Sequence, residues 1–151
     1  MWMPKLYREF KTQAEIDHQY GAIPWIPDPA AVARGLAERS EQARRKLVAK
    51  LAVSYGATVD ETLDIFPADA PNAPVFVFIH GGYWRSNTSK DFSSLALGLQ
   101  PLGITTVIVN YSLCPKVTVD EITRQTRAAA AWVVRNIATY GGDAKRVAIG
   151  G

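Results

Sequence analysis

From Val75 onward, short apolar runs alternate with segments of helical spacing, and this alternation restricts the fold more than any other feature of the chain. Val75-Phe76-Val77-Phe78-Ile79 is a continuous apolar run, as expected of a strand covered on both faces. Phe92, Leu95, Ala96 and Leu99 then fall at helical spacing, and Pro101 and Gly103 end that segment. Residues 104–109, Ile-Thr-Thr-Val-Ile-Val, form a second strand. Thr118-Val119-Asp120-Glu121 matches a capping box, in which hydroxyl and carboxylate reciprocally satisfy free helix amides. Ile122, Ala129, Trp132, Val133, Ile137 and Tyr140 carry the apolar stripe of that helix, and Gly141-Gly142 closes it with a left-handed cap. Residues 146–149 are a last short strand. The order strand, helix, strand, helix, strand predicts an α/β fold with a mostly parallel sheet, right-handed crossovers and flanking helices.

The upstream part reads differently. Pro4, Gly21, Pro24 and Pro27 leave residues 1–27 irregular, and Trp2, Tyr7, Tyr20 and Trp25 imply that this arm packs on something. Asp28-Pro29 opens a helix with an N-cap residue followed by proline at the first helical position. Val32, Leu36, Ala43, Leu47 and Leu51 extend its stripe to about residue 50, with Ser40 marking a break or second start. Residues 51–55 and 62–66 are two strands around Gly56, an antiparallel pair, and Pro67 to Pro74 is a turn-rich connection. The chain therefore divides into an arm and helix, residues 1–50, and the α/β part, residues 51–151.

A chain of 151 residues fits one domain and buries a sizeable core. Nothing approaches the roughly 18 consecutive apolar residues of a membrane span. Met1-Trp2-Met3-Pro4-Lys5 lacks the apolar core of a signal peptide, so a cytoplasmic location is expected. The net charge of 17 − 14 = +3 is concentrated in Arg39, Arg44, Arg45, Lys46 and Lys50, interleaved with Glu38 and Glu41. Mixed signs read as a solvated helix face rather than a nucleic-acid patch. A single cysteine, Cys114, rules out an internal disulfide and a cysteine-built zinc cluster, and reads as a buried or half-buried structural thiol.

The strand at 75–79 runs directly into His80-Gly81-Gly82-Tyr83-Trp84. Hydrolysis of an ester or amide develops negative charge on the carbonyl oxygen, and backbone N–H groups aimed there stabilise it. A loop presents amides in this way only if its backbone comes close to the substrate, which glycine permits. Gly82 and Tyr83 are the expected donors, with Gly81 shaping the turn, at the strand end where ligand sites collect in open α/β sheets. His80 precedes any nucleophile in the chain, so it reads as support for the loop rather than as the base. Tyr83 and Trp84 read either as core aromatics or, preferably, as the lining of a pocket suited to a flat aromatic substrate. Arg85-Ser86-Asn87 is exposed loop, and Ser86, Ser93 and Ser94 lack the sharp turn that activates a nucleophile. His18 has no supporting motif.

These residues resemble a known family. His80-Gly81-Gly82-Tyr83-Trp84 is similar to the HGGxW motif of kynurenine formamidase (arylformamidase) and its bacterial relatives in the α/β-hydrolase superfamily. Asn110-Tyr111-Ser112-Leu113-Cys114-Pro115, the helix from Val117, and Tyr55-Gly56 with Leu63-Asp64-Ile65-Phe66-Pro67 extend the resemblance over roughly residues 50–151. Tyr140-Gly141-Gly142-Asp143, Arg146-Val147 and Gly150-Gly151 also resemble carboxylesterases just ahead of their Gly-x-Ser-x-Gly turn. The resemblance implies that Gly151 is the first glycine of that turn, that the nucleophilic serine follows just after it, and that the acid and histidine come later. It thus implies a partial α/β-hydrolase fold, the N-terminal portion of a serine hydrolase, inactive alone. The complete enzyme is expected to cleave an aryl formamide such as N-formylkynurenine through an acyl-enzyme. A carboxylesterase acting on small acyl esters is the alternative within the class, and a non-catalytic binding module using Tyr83 and Trp84 the alternative outside it. No cofactor, metal, nucleic acid or membrane is implied; the partner is a small-molecule substrate, and a homodimer stays open. An uncovered sheet edge and apolar faces predict self-association of the isolated chain.

Overall fold

The apolar runs become a five-stranded sheet. The structure, a computed structural model, describes residues 6–21 and 25–151. Strands β1 (Lys50–Ser54), β2 (Thr62–Phe66), β3 (Ala73–Ile79), β4 (Thr105–Val109) and β5 (Gly142–Gly150) lie in the order β1-β2-β4-β3-β5. β2 pairs antiparallel with both β1 and β4, while β3 pairs parallel with β4 and β5. β2 alone therefore runs against the other four. The sheet is mixed, and parallel through its β4-β3-β5 half.

Side chains leave a strand on alternate faces, so the two sides of this sheet are covered separately. Leu63, Ile65, Val75, Val77, Val107 and Val109 face Ile122, Ala129, Val133 and Ile137 of helix α4 (Val119–Asn136) and the 3₁₀ turn behind it. Phe66 and Ile108 face the other way, against Ala96 of the short helix α3 (Leu95–Leu99) with Leu47, Phe78 and Phe92. All five residues of β4 are buried, as a central strand with cover on both sides requires. β3 is flanked by β4 on one side and β5 on the other. The chain order thus reverses across β3, and the loop after Ile79 leaves the sheet at a topological switch point, where ligands bind in such folds.

Three sequence expectations change. The helix expected after the His-Gly-Gly loop is broken into a 3₁₀ turn (Ser89–Phe92), α3 and a second 3₁₀ turn (Gln100–Leu102). Tertiary hydrogen bonds take over its backbone: Ser40 Oγ donates to the Asp91 carbonyl at 2.7 Å and accepts from the Ser94 amide at 3.2 Å. Ser40 is accordingly a fully buried tether inside a continuous helix α2 (Pro29–Lys46), not a break in it. Arg44, expected on a solvated face, donates instead to the Lys90 carbonyl and to Ser93 Oγ at 2.9 Å, whereas Arg45 pairs with Glu41 on the exposed side.

The capping box at Thr118 is half realised. Thr118 Oγ1 accepts from the Glu121 amide at 3.2 Å, but the Glu121 carboxylate turns to Arg124 at 2.7 Å and Gln125 at 3.0 Å. A charged donor outcompetes a neutral amide. Thr118→Ala is expected to destabilise the chain by about 1 kcal/mol, the usual loss for an N-cap hydroxyl. A urea melt with an unchanged m-value and a lower midpoint is the check.

The chain clusters into two compact units, Met1–Gly35 and Leu36–Gly151. In the first, residues expected to be irregular contain helix α1 (Gln13–Tyr20), opened by a complete capping box between Thr12 and Glu15. Periodicity missed it because it buries no residue. The arm's aromatics pack on one another: Tyr20 stands edge-on to Tyr7 and Phe10, and the Trp25 ring lies 4.9 Å from that of His18. Trp2 lies outside the described residues. Asp28 caps α2 as expected, its Oδ1 accepting from the Ala31 amide at 2.8 Å. Among the described residues, no helix is long and apolar enough to cross a membrane.

Candidate functional site

The loop after β3 borders an open cavity of about 480 Å³ lined by Ile79, His80, Gly81, Gly82, Tyr83, Trp84, Tyr111 and Gly151. All five residues of the expected motif thus lie at one site, joined by the ends of β5 and of the segment after β4. The backbone is unusual: φ is +128° at Gly82, +52° at Tyr83 and +58° at Trp84. The left-handed turn therefore falls on Gly82, Tyr83 and Trp84, and not on Gly81 as expected, where an added Cβ would meet open space. At Gly82 an added Cβ would run into the Ser86 carbonyl oxygen.

The turn closes on itself through its carbonyls. The Arg85 and Ser86 amides donate to the Gly82 carbonyl at 3.0 and 3.1 Å, and Asn87 Nδ2 donates to the Gly81 carbonyl at 3.1 Å. Among the described residues, the Gly82 and Tyr83 amides find no acceptor. The Gly81 and Trp84 amides find none either, so four successive N–H groups, with Gly82 and Tyr83 at their centre, are left to bind something else at the cavity rim. Tyr83 is 71% and Trp84 49% exposed, their rings edge-on at 6.2 Å, so neither is a core aromatic.

His80 is buried, its ring stacked on Tyr111 with centroids 4.2 Å apart and on Phe92 at 5.7 Å. Nδ1 lies 2.9 Å from the Gly81 carbonyl, an acceptor only, which assigns the proton to Nδ1. Nε2 is then a bare lone pair, buried without a partner. Burial pushes the His80 pKa below its ordinary value, against the Gly81 carbonyl and the more distant Asp91, which raise it. The lowered pKa favours the neutral ring at pH 7, and the ring packs against the loop from inside.

This gives a pH dependence with a definite sign. Because the folded state holds His80 below the free value of 6.5, the associated stability is complete above pH 6.5 and is lost as pH falls below it. Glu121 adds a second fall: Arg124, then Gln125, hold it at about 2 against a free value of 4.5, so its contribution is lost between those values. The thermal midpoint is expected to be flat just above pH 6.5 and to decline in two stages below it. In His80→Asn the upper stage should vanish and the lower remain.

Several positions that hold the loop were not legible in the sequence. Tyr111 donates its hydroxyl to the His80 carbonyl at 2.5 Å, and burial raises its pKa and keeps it a donor. The Cys114 amide donates to the Trp84 carbonyl at 2.7 Å, and its free thiol is half-buried. Asn110 Oδ1 accepts from the Ser89 amide at 3.1 Å, where the loop rejoins the body. Asp64, buried within β2, accepts from Ser89 Oγ at 2.8 Å, Lys90 Nζ at 2.6 Å and the Ala52 amide at 2.9 Å. Each non-glycine residue held left-handed costs roughly 1–2 kcal/mol. Tyr83 and Trp84 together thus cost roughly 2–4 kcal/mol, which three hydrogen bonds of about 1 kcal/mol net each can offset. Ser93 is buried against Arg44, and Ser86 bonds back to the Gly82 carbonyl; neither is placed as a nucleophile.

Comparison with known proteins bears on the family and the fold. The BD-FAE family profile matches residues 63–151, more than half of the chain. Kynurenine formamidase from Danio rerio is 29% identical over 136 residues, covering 85% of this chain and 46% of that protein. Esterase LipQ from Mycobacterium tuberculosis is 36% identical over 97 residues, covering 61% of this chain and 23% of its own length. Among solved structures, a Silicibacter sp. tm1040 protein provisionally assigned as a thioesterase superposes with a TM-score of 0.74 at 26% identity, over 89% of this chain and 62% of its own. The chain spans less than half the length of the curated relatives it matches. A five-strand sheet with helices packed on its central strands and these likenesses lead to one assignment: the chain belongs to the BD-FAE family and is an arylformamidase-like α/β-hydrolase.

Proposed function

We infer that the product of the complete reading frame is a serine hydrolase in which the Gly82 and Tyr83 amides hold the oxyanion of an acyl-transfer reaction. The observation that carries this reading is the run of four unpartnered N–H groups, Gly81 to Trp84, at the rim of the cavity, in a turn that Gly82 makes possible and with Gly82 and Tyr83 at its centre. In this reading Gly151, which borders the same cavity, opens the turn that presents the nucleophilic serine. The serine oxygen attacks the carbonyl carbon as a later histidine takes its proton, and the two amides stabilise the charge that forms on oxygen. The C–N bond of a formamide or C–O bond of an ester then breaks, the histidine protonates the departing amine or alcohol, and the acyl-enzyme left behind is hydrolysed by water. His80 supports the loop and is not the base. Tyr83 and Trp84 offer aromatic surface to a planar leaving group, which favours an aryl formamide of the N-formylkynurenine type. The formamidase likeness supports that choice, and the LipQ likeness supports a small acyl ester as the second reading.

Side-by-side turnover of an aryl formamide and a short-chain aryl ester by the product of the complete reading frame separates the two. Faster formamide turnover is expected; ester turnover without formamide turnover selects the second reading, and turnover of neither removes both.

A further inference from the structure

We propose that the segment Asn110–Cys114 is a rigid template that sets the conformation of the His80–Ser89 loop, with Tyr111 and Asn110 as positioning residues for the Gly82 and Tyr83 amides. The segment grips the loop at three points. Tyr111 Oη holds the first carbonyl, that of His80, at 2.5 Å. The Cys114 amide holds the Trp84 carbonyl, in the middle of the turn, at 2.7 Å. Asn110 Oδ1 holds the Ser89 amide, at the exit, at 3.1 Å. A flexible segment making these contacts would follow the loop rather than direct it.

This segment is itself fixed from the opposite side. The Asn110 amide donates to the Thr62 carbonyl at 2.9 Å, its Nδ2 to the Asp60 carbonyl at 2.9 Å, and its carbonyl accepts from Tyr55 Oη at 2.7 Å. Every hydrogen-bonding group of Asn110, backbone and side chain, is thus engaged. Ser112 receives the Gln125 carboxamide oxygen on its amide at 2.8 Å and gives its own hydroxyl to Asp60 Oδ2 at 2.9 Å. The template is anchored to the body by bonds independent of the loop, and the loop is anchored to the template by three. Tyr111 also stacks on His80, so its hydroxyl and its ring brace the same residue. The left-handed aromatics Tyr83 and Trp84 lie between the first and last grips, in a conformation that unrestrained chain would leave.

The proposal rests on the oxyanion reading for its functional meaning, but its test needs no catalysis. Amide hydrogen exchange is measured by NMR on this chain as wild type, Tyr111→Phe and Asn110→Ala, with Arg146→Ala as a control that removes bonds to Asp143 and Asn72 and none to the template or the loop. In the first two variants, exchange at Arg85, Ser86 and Cys114 is expected to rise about tenfold, with β3 and β4 amides unchanged. The chemical shifts of Tyr83 and Trp84 should move away from left-handed values. Arg146→Ala should leave both readouts at wild type. Unchanged loop exchange in Tyr111→Phe and Asn110→Ala overturns the proposal, as does acceleration shared equally with β3 and β4. In the product of the complete reading frame, Tyr111→Phe should lower kcat with KM nearly constant. Loss of loop protection in a protein that hydrolyses nothing would refute the oxyanion reading and leave the template standing; a loop unmoved in an active enzyme would do the reverse.

Discussion

Gly82→Ala is expected to lower hydrolysis by the complete reading frame's product by about 100- to 1000-fold in kcat, the loss measured when one oxyanion donor is removed elsewhere. A φ of +128° is open to glycine and closed to side chains with a Cβ, and the added methyl would meet the Ser86 carbonyl and Asn87 Nδ2. The loop must then re-form with different dihedrals, and the Gly82 and Tyr83 amides turn away together. Because the loop is exposed and can rearrange without opening the core, the stability cost should be far smaller, about 1–3 kcal/mol. Gly81→Ala is the matched comparison: its Cβ position is empty and its φ is not positive, so stability should change by less than about 0.5 kcal/mol. Steady-state kinetics and urea melts on both variants separate the effects. Equal losses in the two would mean that the left-handed turn is irrelevant to catalysis.

Asp64→Ala should have the largest effect on stability, about 2–4 kcal/mol, from the loss of three hydrogen bonds to a buried carboxylate. The Asp64 carboxylate is fully buried in β2 and accepts three donors, from β1, from Ser89 and from Lys90. Lys90 can swing into water, since its side chain is 43% exposed, and Ala52 lies on the exposed strand β1, but the Ser89 hydroxyl, in a residue only 3% exposed, loses its acceptor where water hardly reaches. The cost arises from the stranded Ser89 hydroxyl, about 1–3 kcal/mol, together with the net loss of the other two bonds. Asp64→Asn keeps the shape and one acceptor oxygen and should lose about half as much. Denaturant midpoints at pH 7 with an unchanged m-value are the readout, and a loss below about 1 kcal/mol for Asp64→Ala would show that Ser89 and Lys90 find other partners.

The strands of the sheet were legible because burial leaves a local trace: residues 62–66, 75–79 and 104–109 are apolar runs, and each matches β2, β3 or β4 to within two residues. The His-Gly-Gly turn was legible because backbone exposed at a strand end needs glycine. The devices that hold the turn were not. Asn110, Tyr111 and Asp64 act on residues 25 to 31 positions away or, for Asn110 and Ser89, 21 positions away, and no local pattern encodes such pairings. Helix α1 failed for the opposite reason: its signal was a capping box alone, without an apolar face. The antiparallel join of β2 to β4 was likewise invisible, since the sequence predicts a pair with β1 but not which strand lies on the other side. At Gly81 and Gly82, composition located the turn but could not say which glycine carries the left-handed dihedral.

A structure of the complete reading frame's product with a phosphonate trapped on its nucleophile tests the central claim most directly. The account predicts a phosphoryl oxygen about 2.7–3.1 Å from both the Gly82 and Tyr83 amide nitrogens, with His80 still stacked beneath the loop and making no contact to the adduct. A phosphoryl oxygen held by other groups, with those two amides pointing into solvent, would contradict it.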